Sequence, residues 1–326
     1  MSGGEATYVA LSGGIGGAKL SLGLSHLLGN RLTIIANTGD DFEHLGLTVS
    51  PDVDTTLYTL AGLVNPETGW GRREETWNFM QSMAALGGPS WFNLGDKDLA
   101  THVERTRRLR SGERLTAITA HLARAFGVSA RVLPMADEPV RTIVESDAGT
   151  LAFQEYFVRD RCQPVVRRIR YDGADNARVT PEIAEALSRP DLAGIVVCPS
   201  NPWFSVDPIL AVPGMRDALR ASGAPIIAVT PIVGGRALKG PTAKIMSELG
   251  FSPGVRTIVE HYAGIIDGLI VDSADATVAG TLPLAAMTTN TVMHTLADKI
   301  DLAEACLGYC TRPASHRHPK RQTRAI

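Results

Sequence analysis

The chain has 326 residues, of which 44% are hydrophobic, 20% charged and 6% aromatic, and its formal net charge is −2. This composition is typical of a folded globular protein and excludes wholesale disorder. The length allows two domains, or one α/β domain that carries an insertion, and the charge argues against a nucleic-acid binder.

The first 140 residues alternate short apolar runs with segments of helical period, a pattern typical of a parallel sheet flanked by helices. Strands are predicted at 8–11, 32–36 and 131–133. Helices are predicted at 18–28, 55–63, 74–86, 99–110 and 115–126. Residues 1–140 are therefore predicted to form the first part of the core.

The pattern changes between residues 141 and 180. Extended segments are predicted at 141–145, 150–158 and 165–171, and Asp147-Ala148-Gly149 supplies a hairpin turn between the first two. Strands joined by a short turn are antiparallel. Residues 141–180 are therefore predicted to be an inserted antiparallel subdomain.

The alternation resumes over residues 181–310, the predicted second part of the core. Strands are predicted at 195–198, 225–230 and 269–271, with helices at 181–188, 215–221, 242–249, 255–262 and 291–306. Residues 311–326 hold five basic and no acidic residues, so we expect a disordered, basic tail there. The predicted fold class is α/β, a doubly wound, mostly parallel sheet with an inserted antiparallel subdomain.

The cysteines and the hydropathy indicate a reduced, cytoplasmic protein. No two cysteines form a C-x-x-C pair. No uncharged apolar run approaches the ~20 residues that span a bilayer, and the N-terminus does not resemble a signal peptide. We expect no membrane and no nucleic acid among the partners.

A glycine-rich turn follows the first predicted strand and opens the first helix. It reads Ser12-Gly13-Gly14-Ile15-Gly16-Gly17-Ala18-Lys19, which is neither a Walker motif nor a regular G-x-G-x-x-G. Glycines let the backbone approach a ligand, and a helix N-terminus attracts anions. Gly13, Gly14, Gly16 and Gly17 are thus candidate phosphate-binding residues, although a tight strand-to-helix turn would need glycines as well.

Three further polar or glycine-rich loops follow other predicted strands, at 37–41, 199–202 and 231–235. Parallel strands end at one edge of a doubly wound sheet, so these loops should line one site. Ser200 and Asn201 offer a hydroxyl and an amide suited to a ribose or a base edge. Turn chemistry alone would also favour Asn-Pro and Gly-Gly there.

Carboxylates gather in and after the second loop, at Asp40, Asp41, Asp52 and Asp54. A diphosphate ligand needs a hard cation, and Mg²⁺ prefers one or two carboxylates together with phosphate oxygens. Because Asp54 immediately precedes a predicted helix, N-capping is the alternative role for its side chain.

Lys97 and two tryptophans complete the candidate residues. Lys97 stands between Asp96 and Asp98, where a surface ion pair is the alternative explanation. Trp70 and Trp77 could line an aromatic pocket, but tryptophans at such spacing also occur in protein cores.

In these motifs the sequence resembles the 2-phospho-L-lactate transferases and their phosphoenolpyruvate-transferring relatives, which act in coenzyme F420 assembly. The resemblance covers nearly the whole body. It rests on an ordered set of motifs: S-G-G-x-G-G-A-K (12–19), N-T-G-D-D (37–41), S-P-D-x-D-T (50–55), G-W-G (69–71), E-T-W-N (75–78), L-G-D-K-D-x-A-T-H (94–102), L-P-M-A-D-E-P (133–139), F-Q-E-Y-F (153–157), P-S-N-P (199–202) and P-I-V-G-G (231–235).

The resemblance implies a Rossmann-like core with an inserted subdomain, a homodimer, and Mg²⁺ as cofactor. It also implies a reaction in which a donor joined to GMP through a diphosphate passes its phosphoryl-acid group to the ribityl hydroxyl of the deazaflavin Fo. GMP leaves, and the acid is lactyl, enolpyruvyl or glyceryl.

The resemblance also implies roles for individual residues. The four glycines, Ser200 and Asn201 would bind the donor. Asp40 and Asp54 would bind Mg²⁺ or orient the attacking hydroxyl, as the catalytic residues. Asp54 and Lys97 would contact Fo.

Two other classes remain open at this point. Related regulatory proteins share the glycine-rich opening and bind nucleotide-sugars without catalysis. A Rossmann dehydrogenase would use an acid at the end of the second strand, such as Asp40, to hold a ribose.

Overall fold

The computed structural model describes residues 5–237 and 240–312. Its strands, in chain order, are β1 (Thr7–Ser12), β2 (Leu32–Ala36), β3 (Phe42–His44), β4 (Leu47–Val49), β5 (Arg131–Pro134), β6 (Arg141–Ser146), β7 (Gly149–Ala152), β8 (Val166–Asp172), β9 (Leu192–Val197), β10 (Ile226–Val229), β11 (Ile232–Val233), β12 (Arg236–Ala237), β13 (Gly268–Asp272) and β14 (Ala285–Thr289). Its α-helices are α1 (Gly14–Leu28), α2 (Pro51–Leu60), α3 (Asn78–Ala85), α4 (Asp96–Arg110), α5 (Leu115–Ala125), α6 (Pro181–Leu187), α7 (Asp207–Ala211), α8 (Met215–Ala221), α9 (Thr242–Glu248), α10 (Val255–His261), α11 (Ala276–Ala279) and α12 (Leu296–Cys310).

The centre of the molecule is a seven-stranded sheet in the order β14-β13-β10-β9-β1-β2-β5. All of its strand pairs are parallel. The chain moves outward from β1 to β5, returns to the other side of β1 at β9, and continues outward to β14. The order therefore reverses between β1 and β9, which is where ligands bind in doubly wound folds. The predicted α/β fold class is confirmed.

The inner strands of the central sheet are buried on both faces, which explains their continuous apolar runs, whereas the edge strand β14 is only partly buried. One face packs against α1, α2, α5 and α12. Here α1 and α12 approach backbone to backbone: a Cβ on Gly23 would collide with the carbonyl oxygen of Lys299. The other face is covered by α6–α10 and by the inserted segment.

The inserted segment contains an antiparallel sheet of order β7-β6-β8. The predicted hairpin turn at Asp147–Gly149 joins β6 to β7. The extended run expected to continue to residue 158 is wrong beyond Ala152, because the chain turns into a short π-helix at Glu155–Arg159. Whether 141–180 is a separate unit stays a prediction.

Several helix bounds differ from the predicted ones. Helix α1 begins at Gly14 instead of residue 18, because its glycines lie inside the first turn. Helix α2 begins at Pro51 instead of residue 55, with proline at the first helical position that its fixed φ favours. The short hairpin of β3 and β4 and the edge strand β14 were not predicted at all.

Two further expectations concern the basic tail and membrane-spanning helices. Of the expected disordered basic tail, residues 313–326 lie outside the described residues. Within the described ranges, no helix has both the length and the apolar character required to cross a bilayer.

Candidate active site

A cavity of about 780 Å³ opens at the carboxyl edge of the central sheet. The loops after β1, β2, β9 and β10 all contribute to it, as the strand order predicts. The structure brings seven of the nine predicted site residues into its lining: Gly13, Gly14, Gly16, Asp40, Asp54, Ser200 and Asn201. The other two, Gly17 and Lys97, are not part of the lining.

The glycines of the first turn are required by close packing inside the protein. A Cβ on Gly16 would collide with the carbonyl oxygen of Pro199, and a Cβ on Gly17 would lie 2.7 Å from the Ser200 hydroxyl. Gly14 has φ of +61°, a left-handed conformation that favours glycine. The turn therefore packs closely against the loop that follows β9, and this packing alone requires glycines at these positions.

Ser200 and Asn201 join this turn to the loop after β9. The Ser200 hydroxyl donates to the Gly13 carbonyl at 2.7 Å and accepts from the Gly13 N–H at 3.2 Å. Asn201 Oδ1 accepts from two N–H groups of the helical turn at Pro202–Val206, and its Nδ2 donates to Thr242 Oγ1 at 3.1 Å. Both side chains thus fix the shape of the cavity wall.

An aspartate occupies the N-terminus of α1. The buried Asp52 carboxylate accepts hydrogen bonds from the Gly14 N–H and, at 2.9 Å, from Asn37 Nδ2. The same Asn37 amide donates to Asp40 Oδ1 at 2.6 Å and so bridges the two carboxylates. A protein anion therefore already lies where the glycine-rich turn predicts a ligand phosphate.

Burial perturbs these acids strongly. Burial, together with the charges of Asp52 and Asp41, raises the pKa of Asp40 well above its ordinary value. Burial raises the pKa of Asp52 to about 6, against hydrogen bonds that lower it. Burial also raises the pKa of Asp41 to about 7, although Ser50 donates to its Oδ2 at 2.7 Å. Asp40 and Asp52 line the cavity, and carboxyl groups with such perturbed pKa values in a cavity are typical of functional sites.

Asp54 belongs to a buried charge network. Arg105, whose side chain is completely buried, donates to both oxygens of Asp54. His102 Nδ1 lies 3.6 Å from Asp54 Oδ2, and His102 Nε2 lies 3.5 Å from Asp98 Oδ1. The Tyr58 hydroxyl donates to Asp98 at 2.6 Å. Since α2 begins at Pro51 with Ser50 at its N-cap position, the alternative that Asp54 is an N-cap is wrong.

The sequence reasoning missed Arg105, His102, Asp98 and Tyr58 as site residues. Asp98, His102 and Arg105 are spaced four and three residues apart on α4, so they share one helix face. Charged residues on the buried face of a predicted helix were the available clue. In the described part of the chain, Asp54, Asp98 and His102 also form the one group of three side chains whose potential metal-ligand atoms lie within 4.8 Å of one another.

Lys97 and the two tryptophans lie at or near the surface. Lys97 Nζ is 3.7 Å from a carboxylate oxygen of Glu74, so the surface ion pair is formed, with a different acid from its chain neighbours. Trp70 is 48% exposed and lines the cavity, whereas Trp77 is 40% exposed and does not. Neither tryptophan is a core residue.

The glycine pair at 234–235 is also engaged within the protein. Its two N–H groups donate to the carboxylate of Asp275 at 2.7 and 3.1 Å. The loop after β10 therefore reaches the cavity through Pro231 and Val233.

Comparisons with known proteins point in one direction. The sequence model of the family described as 2-phospho-L-lactate transferase CofD matches residues 8–304. The phosphoenolpyruvate transferase of Streptomyces griseus subsp. griseus is 42% identical over 275 residues, which cover 82% of this chain and 86% of the relative. That of Mycolicibacterium smegmatis is 38% identical over 287 residues, with 81% and 87% covered.

A solved structure shows the same fold at low sequence identity. A member of the UPF0052 family from Bacillus halodurans superposes with a TM-score of 0.61 and 16% identity. The superposition covers 93% of this chain and 99% of that one. At this identity the similarity concerns the fold alone.

Proposed function

Because the chain belongs to the 2-phospho-L-lactate transferase family, a transferase family of coenzyme F420 biosynthesis, we propose a specific reaction for it. A donor linked to GMP through a diphosphate passes its phospho-organic-acid group to the terminal ribityl hydroxyl of Fo, and GMP is released. The phosphoanhydride bond to GMP breaks, a phosphodiester bond to the ribityl oxygen forms, and the hydroxyl proton is lost.

We propose phosphoenolpyruvyl as the transferred group. Relatives of 38–42% identity carry the name phosphoenolpyruvate transferase.

The cavity at the β1–β9 crossover is the observation that carries the proposal. Its volume of about 780 Å³ lies in the upper part of the roughly 300–1,000 Å³ range of ligand pockets. Its lining includes four aspartates and the half-exposed side chain of Trp70. Such a cavity suits a nucleotide-linked donor and a planar acceptor bound side by side, as direct transfer requires.

The charges in the cavity support Mg²⁺ as cofactor. Among described residues, the lining carries four carboxylates, Asp40, Asp52, Asp54 and Asp98, and of lysines and arginines only Lys19. A diphosphate would be repelled there without a cation, and all-oxygen ligands suit Mg²⁺. When bound, the ion would neutralise the diphosphate charge.

The contacts of Asp40 and Asp54 suggest different roles for these two predicted ligands. Asn37 donates to one oxygen of Asp40 and one of Asp52, so we propose that these two carboxylates hold the metal. Arg105 donates to both oxygens of Asp54, which favours the other predicted role, orienting the attacking hydroxyl. Transfer then depends mainly on positioning and charge neutralisation.

The remaining proposed contacts are those of the protein with the donor and with Fo. The turn containing Gly13, Gly14, Gly16 and Gly17 and the Ser200–Asn201 loop would bind the donor. Because the Ser200 and Asn201 side chains and the N–H groups of Gly13 and Gly14 already have partners within the protein, the remaining N–H groups of the turn would make these contacts. Lys97 would contact Fo from the rim. We further propose a homodimer, as the family resemblance implies.

The test is a direct assay of GMP release with Fo, Mg²⁺ and the enolpyruvyl, lactyl and glyceryl donors in competition. We expect stoichiometric GMP and phosphorylated Fo product, with the enolpyruvyl donor preferred. Donor binding without turnover would contradict the proposal and favour a nucleotide-binding regulatory protein.

A further inference from the structure

The N-terminus of α1 takes its anion from another helix. Helix α1 has no side-chain cap and no acidic residue in its own first turn. The carboxylate that accepts from the Gly14 N–H belongs to Asp52, in the first turn of α2. The first turns of both helices therefore meet at one carboxylate, at a helix N-terminus of the kind that binds phosphate in other proteins.

The Asp52 carboxylate is held in place by neighbours from two other segments. Asn37 Nδ2 donates to Asp52 Oδ2 at 2.9 Å, and Asn37 Oδ1 accepts from the Gly39 N–H at 2.8 Å, which fixes the orientation of the amide. A Cβ on Gly13 would lie 2.7 Å from Asp52 Oδ2. The carboxylate thus packs directly on the backbone of the glycine-rich turn, and the residue is only 6% exposed.

The hydrogen-bond donors to Asp52 do not neutralise its charge. Arg105 offsets the charge of Asp54, whereas Asp52 accepts from a backbone N–H and from the Asn37 amide, which are both neutral groups. Asp52 also lines the cavity together with the glycines of the turn. A ligand phosphate at the turn would therefore lie beside a like charge.

We propose that Asp52 is a specificity-determining residue that rejects a metal-free diphosphate and admits one that carries a divalent cation. This inference rests on the proposed function, in which the donor enters as a diphosphate. The N–H groups of the turn attract phosphate, but the Asp52 charge beside them repels it. Once its charge is neutralised by a bound cation, the carboxylate no longer opposes the diphosphate. The turn is then selective for the metal complex of the donor.

The alternative role of Asp52 is structural, as the hydrogen-bond partner of the α1 N-terminus. The two roles differ in their dependence on charge. Asp52→Asn keeps the shape of the side chain, and the amide oxygen can still accept from the Gly14 N–H. The substitution therefore removes the charge but retains the contact, so that it separates the two roles.

The test measures binding to the full chain by calorimetry, with GDP, inorganic pyrophosphate and, as the uncharged control, guanosine. In EDTA, we expect Asp52→Asn to bind GDP and pyrophosphate roughly ten- to a hundredfold more tightly than the wild type, because a like charge has been removed. Added Mg²⁺ should strengthen GDP binding more in the wild type than in the variant. The Kd for guanosine should stay within about twofold in both.

Asp98→Asn is the matched control. It removes another carboxylate of the cavity lining, one that accepts from the Tyr58 hydroxyl and belongs to α4. In EDTA it should bind GDP nearly like the wild type. An equal gain in affinity from Asp98→Asn and Asp52→Asn would assign the effect to the overall charge of the cavity and overturn the specific role of Asp52.

The wild type alone also tests the inference, independently of how well Asp52→Asn folds. A glycine-rich turn at a helix N-terminus without an opposing charge would bind GDP more tightly than guanosine. With Asp52 in place, we expect the wild type in EDTA to bind GDP no more tightly than guanosine, and Mg²⁺ to reverse the order. Clearly tighter binding of GDP than of guanosine in EDTA would overturn the inference.

The outcomes separate this inference from the proposed function. Unchanged or weaker affinity of folded Asp52→Asn for both diphosphates in EDTA would overturn the charge-based role and leave the structural one. Failure of both proteins to bind pyrophosphate, with and without Mg²⁺, would overturn it too. The expected pyrophosphate results without any binding of GDP or guanosine would instead refute the proposed donor and support the role of Asp52. Thermal unfolding verifies that each variant is folded.

Discussion

Arg105 compensates the charge of Asp54 in the protein interior, so its loss should destabilise the fold more than that of other arginines on α4. Arg105→Met leaves Asp54 buried without its partner, and breaking a buried pair in this way costs about 3–5 kcal/mol of unfolding free energy. Urea unfolding measures the change. Arg107→Met, which removes an exposed ion pair with Glu104 on the same helix, is the control and should unfold almost like the wild type. Equal effects of the two substitutions would contradict the structural role of Arg105.

Asp54→Asn tests whether the carboxylate contributes to the reaction. We expect kcat to fall by about 10²–10³, the usual effect of losing one electrostatic contact in a transition state. The KM for the donor should change little, because Asp54 is assigned to the attacking hydroxyl. The substitution also unbalances Arg105, so kcat must be normalised to the folded fraction measured by circular dichroism. A kcat within a few-fold of the wild type would remove Asp54 from the catalytic residues.

For individual residues, the sequence predicted that Asp40 and Asp54 lie at the same cavity, but it did not predict their hydrogen-bond partners. Asp40 and Asp54 could be placed at one cavity because loops after parallel strands share an edge. The partner of Asp54 could not be predicted, since Arg105 is 51 residues away and becomes a neighbour only when α2 and α4 pack. Likewise, the sequence could not show that the Asp52 carboxylate lies at the N-terminus of α1, where a ligand phosphate was predicted, because this is a tertiary contact.

Among the elements, the β1–α1 turn is sensitive to any added side chain. Gly16→Ala places a Cβ against the Pro199 carbonyl, and overpacking of this kind typically costs about 1–3 kcal/mol. Gly308→Ala in α12 is the control, because a Cβ there meets open space and alanine favours a helix by roughly 1 kcal/mol over glycine. Thermal unfolding should show the first variant less stable than the wild type and the second at least as stable. A neutral Gly16→Ala would mean that the turn is looser than described.

The end of β13 gives a pH-dependent contribution to stability. Asp272 accepts hydrogen bonds from the Ala274 N–H and from the N–H and hydroxyl of Thr291, a cavity residue. Burial raises the pKa of Asp272, but these donors outweigh it and hold the pKa below its ordinary value. This stabilisation is complete above the unfolded pKa near ~4 and is lost as the pH falls through the folded pKa. Asp272→Asn should therefore unfold at lower urea than the wild type at pH 7, with a gap that narrows at acidic pH; a constant gap would contradict the assignment.

Elements were predictable where one physical rule dominated. The buried parallel strands read as short apolar runs, and the parallel order followed from the alternation with helices. Helix starts were less predictable, because the first turns of α1 and α2 contain glycines and a proline that also signal loops. The β3–β4 hairpin has only three residues in each strand, too few for an alternating pattern.

For the whole molecule, the main expectation is dependence on a divalent cation. The cavity concentrates carboxylates in a chain whose net charge is only −2, so the repulsion of a diphosphate is local. Excess EDTA should abolish turnover and weaken donor binding, and added Mg²⁺ should restore both. Fo binding, measured in parallel, should be nearly unchanged by EDTA. Full turnover in the presence of EDTA would contradict the proposed cofactor.

The contact between α1 and α12 has a consequence for biosynthesis. Gly23 of α1 and its contact Lys299 in α12 are 276 residues apart, so α1 leaves the ribosome long before its packing partner. Strand β9, the neighbour of β1 in the sheet, is likewise translated about 180 residues after it. The nascent chain must therefore keep an apolar helix face and a strand edge uncovered until these later segments have been translated. Its early segments are natural clients for chaperones, and premature termination before α12 would release a chain that cannot complete its core.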